Sequence, residues 1–398
     1  MDDVSNKKNK LIPLLFLTSF FFVFISYDFY HVRVSDLMLL AITPVIFFRS
    51  FRKSLFFFSF LFLSIFVFSD LITLYCGGGS LGTDVIFYYK YITIFIIFFA
   101  TTIMFSERNY FYFYAKAFVF LMCVLVLWVI YSKWFSGGAY LDSNGRPSFP
   151  FSRDFRTSDA HLYSAILGLG FIFYYLYCRR YLKYYVVYDV FFFFTFPISL
   201  LATGSRSGIA AVLFFSAFFC FLLFVRFIFS FKLRRNYLVI LFLSFVLALI
   251  VFNFLVSYGG VYRALNFNFL SDESSSIRYL FLLSAIETAS ENGYLFGAGI
   301  LGSSGYFYDG IISILVAHGG FLAFSVFVFM ISYYVFLSFG LCSVSFYSRA
   351  LLVSFVLSFV FLNIITEYIY VTRGAIPMIS MVVFSWYHTK NNSKILLI

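Results

Sequence analysis

Apolar residues fill this chain in long runs, and the polar positions that interrupt them are few and clustered. Runs of roughly 15 to 25 residues recur from Leu11 to Tyr387, each closed by charges, a Gly-rich break or a polar loop. That length suits an α-helix crossing a bilayer, whereas a membrane barrel is written in alternating segments of about ten residues. The pattern predicts an all-α fold, a polytopic transmembrane helical bundle of about twelve spans. Their approximate limits are 11–27, 35–49, 54–75, 85–105, 110–131, 160–178, 184–203, 208–229, 237–257, 310–338, 350–366 and 373–388. The second is short and holds Pro44, which suits a kinked, tilted or interfacial segment. Losing it would invert everything downstream.

Two breaks in the apolar pattern are long enough to carry chemistry. The first, 132–159, contains Gly145-Arg146-Pro147 and then Arg153, Asp154, Arg156 and Asp159, with His161 at the next helix entrance. The second, 258–308, lies between spans nine and ten and is the largest polar-containing stretch. Within it Ser274 or Ser275 is placed to cap a helix that runs to about Glu291, where Asn292-Gly293 ends it. Arg278 and Glu287 stand nine residues apart and so fall on opposite faces, Arg278 with Leu282, Ala285 and Ala289, Glu287 with Glu291. A Gly-rich segment from Gly293 to Gly305 leads back to the membrane.

Composition removes the water-soluble alternatives. Of 398 residues 63% are hydrophobic and 11% charged, with 65 Phe and 32 Tyr, more apolar surface than a soluble core can hide. The net charge of +11 is not a nucleic-acid footprint, because the basic residues sit in small clusters between apolar runs. With a cytoplasmic N-terminus, one side collects Lys7, Lys8, Lys10, Arg49, Arg52, Lys53, Arg179, Arg180, Arg226, Arg234, Arg235 and Lys390. Both termini are then cytoplasmic. The other side holds scattered cations, among them Arg146, Arg206 and Arg278. The N-terminal lysines and the run after them are like a signal sequence, but no small-residue cleavage pattern follows, so the run is expected to remain as the first span. The five cysteines form neither a disulfide framework nor a zinc spacing.

Among the scattered cations, Gly204-Ser205-Arg206-Ser207-Gly208 stands out. The helix that follows runs inward, so its free N–H groups and positive dipole end point outward beside Arg206 and two serines. One reading is an anion site suited to phosphate or diphosphate; the other is an interfacial arginine snorkelling to lipid headgroups beside a serine cap. Arg146 has the same two readings, substrate contact or loop decoration paired with the aspartates. Asp309 and His318 bracket the start of the tenth span on opposite helix faces, unless Gly310, Gly319 or Gly320 breaks the helix. The plain alternatives are an N-cap for Asp309 and a packed histidine for His318. No Asp-x-Asp pair, His-Glu-x-x-His or P-loop occurs, so no metal or cofactor is expected.

Three blocks, in order, resemble the bacterial O-antigen polymerase and O-antigen ligase superfamily. Gly145-Arg146-Pro147-Ser148-Phe149 resembles its Gly-Arg-x-Ser-Gly-x-Phe block, with Phe149 in place of Gly. Thr203 to Gly208 matches its Thr-Gly-Ser-Arg-[Ser/Thr]-Gly block in full. Arg278 to Gly302, with Glu291-Asn292-Gly293-Tyr294-Leu295-Phe296-Gly297-Ala298-Gly299, resembles its Arg…Glu-Asn-Pro-Leu-Phe-Gly-x-Gly block, with Gly293 where Pro is common. The likeness spans about 140–325. The ligase branch carries His-Asn before the following span, where this chain has Tyr308-Asp309, and that departure favours a polymerase.

The resemblance implies glycosyl transfer at the periplasmic face of the inner membrane, joining oligosaccharide repeats linked to undecaprenyl diphosphate, for O-antigen or capsule. Arg206 and Arg278 would neutralise the diphosphate leaving group, with Arg146, Ser205, Ser207 and Tyr308 also binding substrate. Asp309, His318 and Glu287 are the candidates for the group that takes or orients the acceptor hydroxyl. Partners would be lipid-linked oligosaccharides, membrane lipid, a chain-length regulator and a flippase. The alternatives are a ligase of the same superfamily and a repeat-unit flippase; the latter should show two similar halves and mid-span charges, neither of which is evident, and no large late loop.

Overall fold

The computed structural model describes residues 53–75, 85–107, 109–141, 145–147, 160–230, 273–291, 293–302, 310–341, 344–365 and 372–392, with scattered positions between 13 and 43. Its architecture is helical. The helices are α1 (Lys53–Tyr75), α2 (Val85–Phe105), α3 (Asn109–Trp134), α4 (Ala160–Phe173), α5 (Tyr185–Thr203), α6 (Arg206–Ser230), α7 (Glu273–Glu291), the single turn α8 (Gly299–Gly302), α9 (Ile311–Phe339), α10 (Phe346–Ile365) and α11 (Thr372–Asn392). A two-residue antiparallel pair, β1 (Asp28–Phe29) with β2 (Val32–Arg33), and an isolated bridge between Leu141 and Pro147 are the strand pairings among the described residues.

Seven helical stretches among the described residues are long and apolar enough to cross a bilayer: Tyr88–Phe105, Asn109–Trp134, Ala160–Tyr181, Tyr185–Thr203, Arg206–Phe227, Ile311–Phe339 and Phe346–Ile364. These make the protein a membrane protein. Each coincides with an expected span, as do α1 and α11 by position. Of the expected twelve, 237–257 lies outside the described residues and 11–27 and 35–49 are described only at isolated positions. Large side chains such as Phe60, Phe193, Phe194, Phe221 and Phe336 are exposed on the helices, as suits a surface solvated by lipid.

Two cores hold the helices together. In the larger, Tyr114 and Phe118 of α3 meet Phe173 of α4, Phe355 of α10 and Phe384 of α11. Edge-to-face rings 4.9 Å apart at Phe118–Phe173 and 5.1 Å at Phe173–Phe384 interlock these helices, and Tyr114 hydrogen-bonds to Ser380 between α3 and α11. In the smaller core, Phe66 of α1 and Tyr91 of α2 pack with Ala285 of α7 and Ile314 and Leu315 of α9.

A close crossing joins α4 to α6. A Cβ on Gly168 would overlap the carbonyl oxygen of Gly208, and one on Gly208 would overlap Ser164 and Leu200. Small residues let the two backbones touch, as membrane helix pairs require when apolar burial no longer drives association. This crossing fixes the start of α6 against the start of α4. At the far end α4 passes into a π-turn (Tyr174–Cys178) and a 3₁₀ turn (Arg179–Tyr181), tied to α5 by an ion pair of 2.8 Å between Arg179 and Asp189.

The late loop differs in detail from its expectation. Its helix begins at Glu273, so Ser274 and Ser275 occupy the first turn and not the cap. Its end follows the sequence: Gly293 takes a φ of +84°, its N–H reaches Ser290 O (3.1 Å) and the Tyr294 N–H reaches Ala289 O (2.9 Å). Those two bonds are the paired closures of a glycine-terminated helix.

Candidate functional site

The turn between α5 and α6 is built by Gly204, whose φ of +60° ends α5 with its N–H on Leu201 O at 3.1 Å. Ser205 then caps α6, its Oγ accepting the Ser207 N–H at 3.4 Å, while Ser164 Oγ accepts the Gly208 N–H at 3.0 Å and donates to Ser205 O at 3.3 Å. Side chains thus occupy amides of the first turn that sequence reasoning left open to a ligand. What the helix start offers an anion is its dipole and the guanidinium groups beside it more than bare N–H groups.

Residues 145–147 of the first long loop lie against this turn. Lys133 Nζ donates to Gly145 O at 2.8 Å, Gly145 has a φ of +68°, and Pro147 is buried in its bridge to Leu141. Arg146 is thereby carried to Gly204, its Cγ lying 3.7 Å from where a Cβ at that position would stand.

His161 joins the two blocks. Arg146 Nη1 lies 3.3 Å from His161 Nε2, and His161 Nδ1 lies 2.9 Å from Ser205 Oγ. A guanidinium can only donate, so Nε2 accepts and the ring proton sits on Nδ1, donating to Ser205. Ser205 then donates to Ser207 Oγ (3.0 Å) and Ser207 donates to the His161 carbonyl (2.5 Å). The chain of donors runs one way, from Arg146 through His161, Ser205 and Ser207 and back to the start of α4. Arg206, half-buried, opens α6 beside it.

This cluster brings together Arg146, Ser205 and Ser207, with Arg206 adjoining, from two segments far apart in sequence. Arg278 is half-buried on α7, which packs on α9, whereas α6 packs on α4 and α10. Glu287 is exposed on α7, across from the buried Ala285 and Ala289. Tyr308, Asp309, Arg153, Asp154, Arg156 and Asp159 lie outside the described residues. The N-cap position of α9 belongs to Gly310.

His318 is a packed side chain. It is 2% exposed, its Nδ1 is 3.0 Å from the Tyr91 hydroxyl, and Phe66 and Tyr91 present ring edges to it. The helix break does occur, at Gly320 (φ 63°, ψ −162°), but on the far side of His318 from the start of α9. It therefore does not rotate His318 towards that start.

Two residues carry more of this architecture than sequence reasoning assigned them. His161 reads from the sequence as a candidate at the helix entrance beside the loop arginines and aspartates, but its bond to Ser205 does not, because a hydrogen bond across 44 residues leaves no periodic trace. Asp70 was passed over within a Phe-rich span, although an acid in such a span is itself a signal. Its carboxylate is 4% exposed and receives the Leu301 N–H at 2.8 Å and the Tyr88 hydroxyl. No metal-binding group of His, Cys, Asp or Glu forms among the described residues.

No family model matches the chain, and no curated protein matches it.

Proposed function

We propose that this protein is a glycosyltransferase of the inner membrane that polymerises lipid-linked oligosaccharide repeat units at the periplasmic face. The observation that carries the reading is the convergence of Arg146, His161, Ser205 and Ser207 at the start of α6, beside Arg206. Two guanidinium groups and a helix dipole are what a diphosphate leaving group needs as its bond to the anomeric carbon breaks, and the serine hydroxyls, whose protons stay within the cluster, hold His161 and through it Arg146. The acceptor hydroxyl attacks that carbon, the undecaprenyl diphosphate departs with the bonding electrons and takes up the proton that the hydroxyl gives up, and the cations hold the charge that develops. The exposed aromatic faces of the bundle suit the prenyl chain.

Consecutive crossings alternate in direction, which supports a shared working face. The end of α1, the start of α2, the end of α3, the start of α4, the α5–α6 turn and the start of α9 then lie at one end of the bundle. On this reading Arg278 completes the substrate path from the late loop, and Glu287 and Asp309 stand as candidates for the group that orients the acceptor. His318, enclosed by Phe66 and Tyr91, supports the packing of α9 in preference to proton transfer.

The test is chain length in the cell. Arg206→Ala and Arg278→Ala should abolish long polysaccharide while leaving single repeat units on the lipid acceptor. Normal chain lengths in both variants contradict the proposal, and polymer retained on undecaprenyl diphosphate points instead to a ligase.

A further inference from the structure

A non-helical segment is wedged between α1 and α9, and its backbone bonds are divided between them. From α9, the break at Gly320 releases groups from the helix ladder: the Phe321 and Leu322 N–H groups donate to Tyr294 O (3.0 Å) and Leu295 O (3.1 Å), and Ala317 O accepts the Ala298 N–H (2.9 Å). From α1, three polar side chains on one face meet the same segment. Ser69 Oγ donates to Phe296 O, Thr73 Oγ1 donates to Ala298 O at 2.5 Å, and the Asp70 carboxylate takes the Leu301 N–H at 2.8 Å. Gly299, at a φ of +76°, rests against Asp70 so closely that a Cβ there would overlap the carboxylate. Irregular backbone survives inside a membrane protein only where every polar group is met from neighbouring elements.

Of these contacts Asp70 is the one that α1 could least have kept by chance. Ser69 and Thr73 each have a carbonyl of their own helix within reach of the same proton, Ile65 O (2.8 Å) and Ser69 O (3.1 Å), and so could be satisfied without the segment. A buried carboxylate has no such local refuge and is costly in a span unless donors converge on it. Here they come from two other elements, the Tyr88 hydroxyl of α2 and the Leu301 amide of α8.

We propose that Asp70 is a positioning residue, a latch that ties the return segment Gly293–Gly302 to α1 and α2 and so sets the end of α7, the helix that bears Arg278. The latch itself is independent of the chemistry; only its consequence for Arg278 rests on the polymerase reading. It acts through the Leu301 and Tyr88 bonds and touches no substrate.

Hydrogen exchange read by mass spectrometry on the full-length protein in detergent tests it. Asp70→Val removes the acceptor, and the amides of 298–301 should exchange at least about tenfold faster while those of 205–209 keep their wild-type rates. Asp70→Asn retains an acceptor for Leu301 and a donor for the Tyr88 oxygen, and should restore protection to within about threefold of wild type. Tyr88→Phe removes one donor only and should fall between the two; it decides the matter if Asp70→Val does not accumulate. In vesicles with a lipid-linked repeat unit, Asp70→Val should raise KM more than it lowers kcat, and Asp70→Asn should recover it. Unchanged exchange at 298–301 in both Asp70→Val and Tyr88→Phe overturns the latch, as does Asp70→Asn exchanging as fast as Asp70→Val. Faster exchange together with normal polymer from Arg278→Ala leaves the latch standing and removes the polymerase role of Arg278.

Discussion

Arg146 donates to His161 Nε2 across 3.3 Å, and that one bond determines where the imidazole proton lies. Because Nδ1 must then donate to Ser205, the arginine of one loop dictates the hydroxyl orientation at the start of a helix that follows some sixty residues later.

His161→Gln should therefore be mild and His161→Ala severe. Glutamine offers one acceptor and one donor, enough to keep Arg146 and Ser205 in place, whereas alanine releases both. Polymer formation in vesicles should fall at least about tenfold in His161→Ala, equivalent to ~1.4 kcal/mol, and only a few-fold in His161→Gln. Equal losses in the two variants would instead make His161 a proton carrier.

Gly168→Ala should loosen the crossing of α4 on α6. The added methyl meets the Gly208 backbone, which cannot rotate away as a side chain can. A cost of about 1–3 kcal/mol is expected, seen as a lower unfolding temperature in detergent. The neighbouring Gly170→Ala meets the flexible end of Met122 and should cost less.

Gly320→Ala should unseat the return segment. Position 320 has a φ of +63°, and a Cβ there would run into Leu295 and the Gly297 amide. Strain of about 1–3 kcal/mol at this break should lower the unfolding temperature and speed exchange at 295–298.

Much of this was legible in the chain because a bilayer simplifies the code. Helices such as α2 and α5 need only sustained apolarity, so their limits could be read to within a residue or two from 85–105 and 184–203. The glycine-terminated end of α7 was equally plain at Gly293. What could not be read were the contacts between distant segments. Nothing local distinguishes Asp70 as the partner of Leu301, or tells that the Ser205 oxygen accepts from His161 and its proton goes to Ser207 and not to a ligand. The helix start at Glu273 in place of Ser274 or Ser275 shows the other limit, since several polar residues in succession leave the first turn undefined. His318 illustrates a third: the same histidine reads as a base or a packed ring until Phe66 and Tyr91 are seen around it.

The most direct measurement is polymerisation by the purified protein in lipid vesicles supplied with an undecaprenyl-diphosphate-linked repeat unit, comparing wild type with Arg206→Ala and Arg206→Lys. If the start of α6 holds the diphosphate, wild type builds chains, Arg206→Ala loses at least about a hundredfold in kcat/KM, equivalent to ~2.7 kcal/mol, and Arg206→Lys recovers only part of it. Wild-type chain growth by Arg206→Ala would contradict the account.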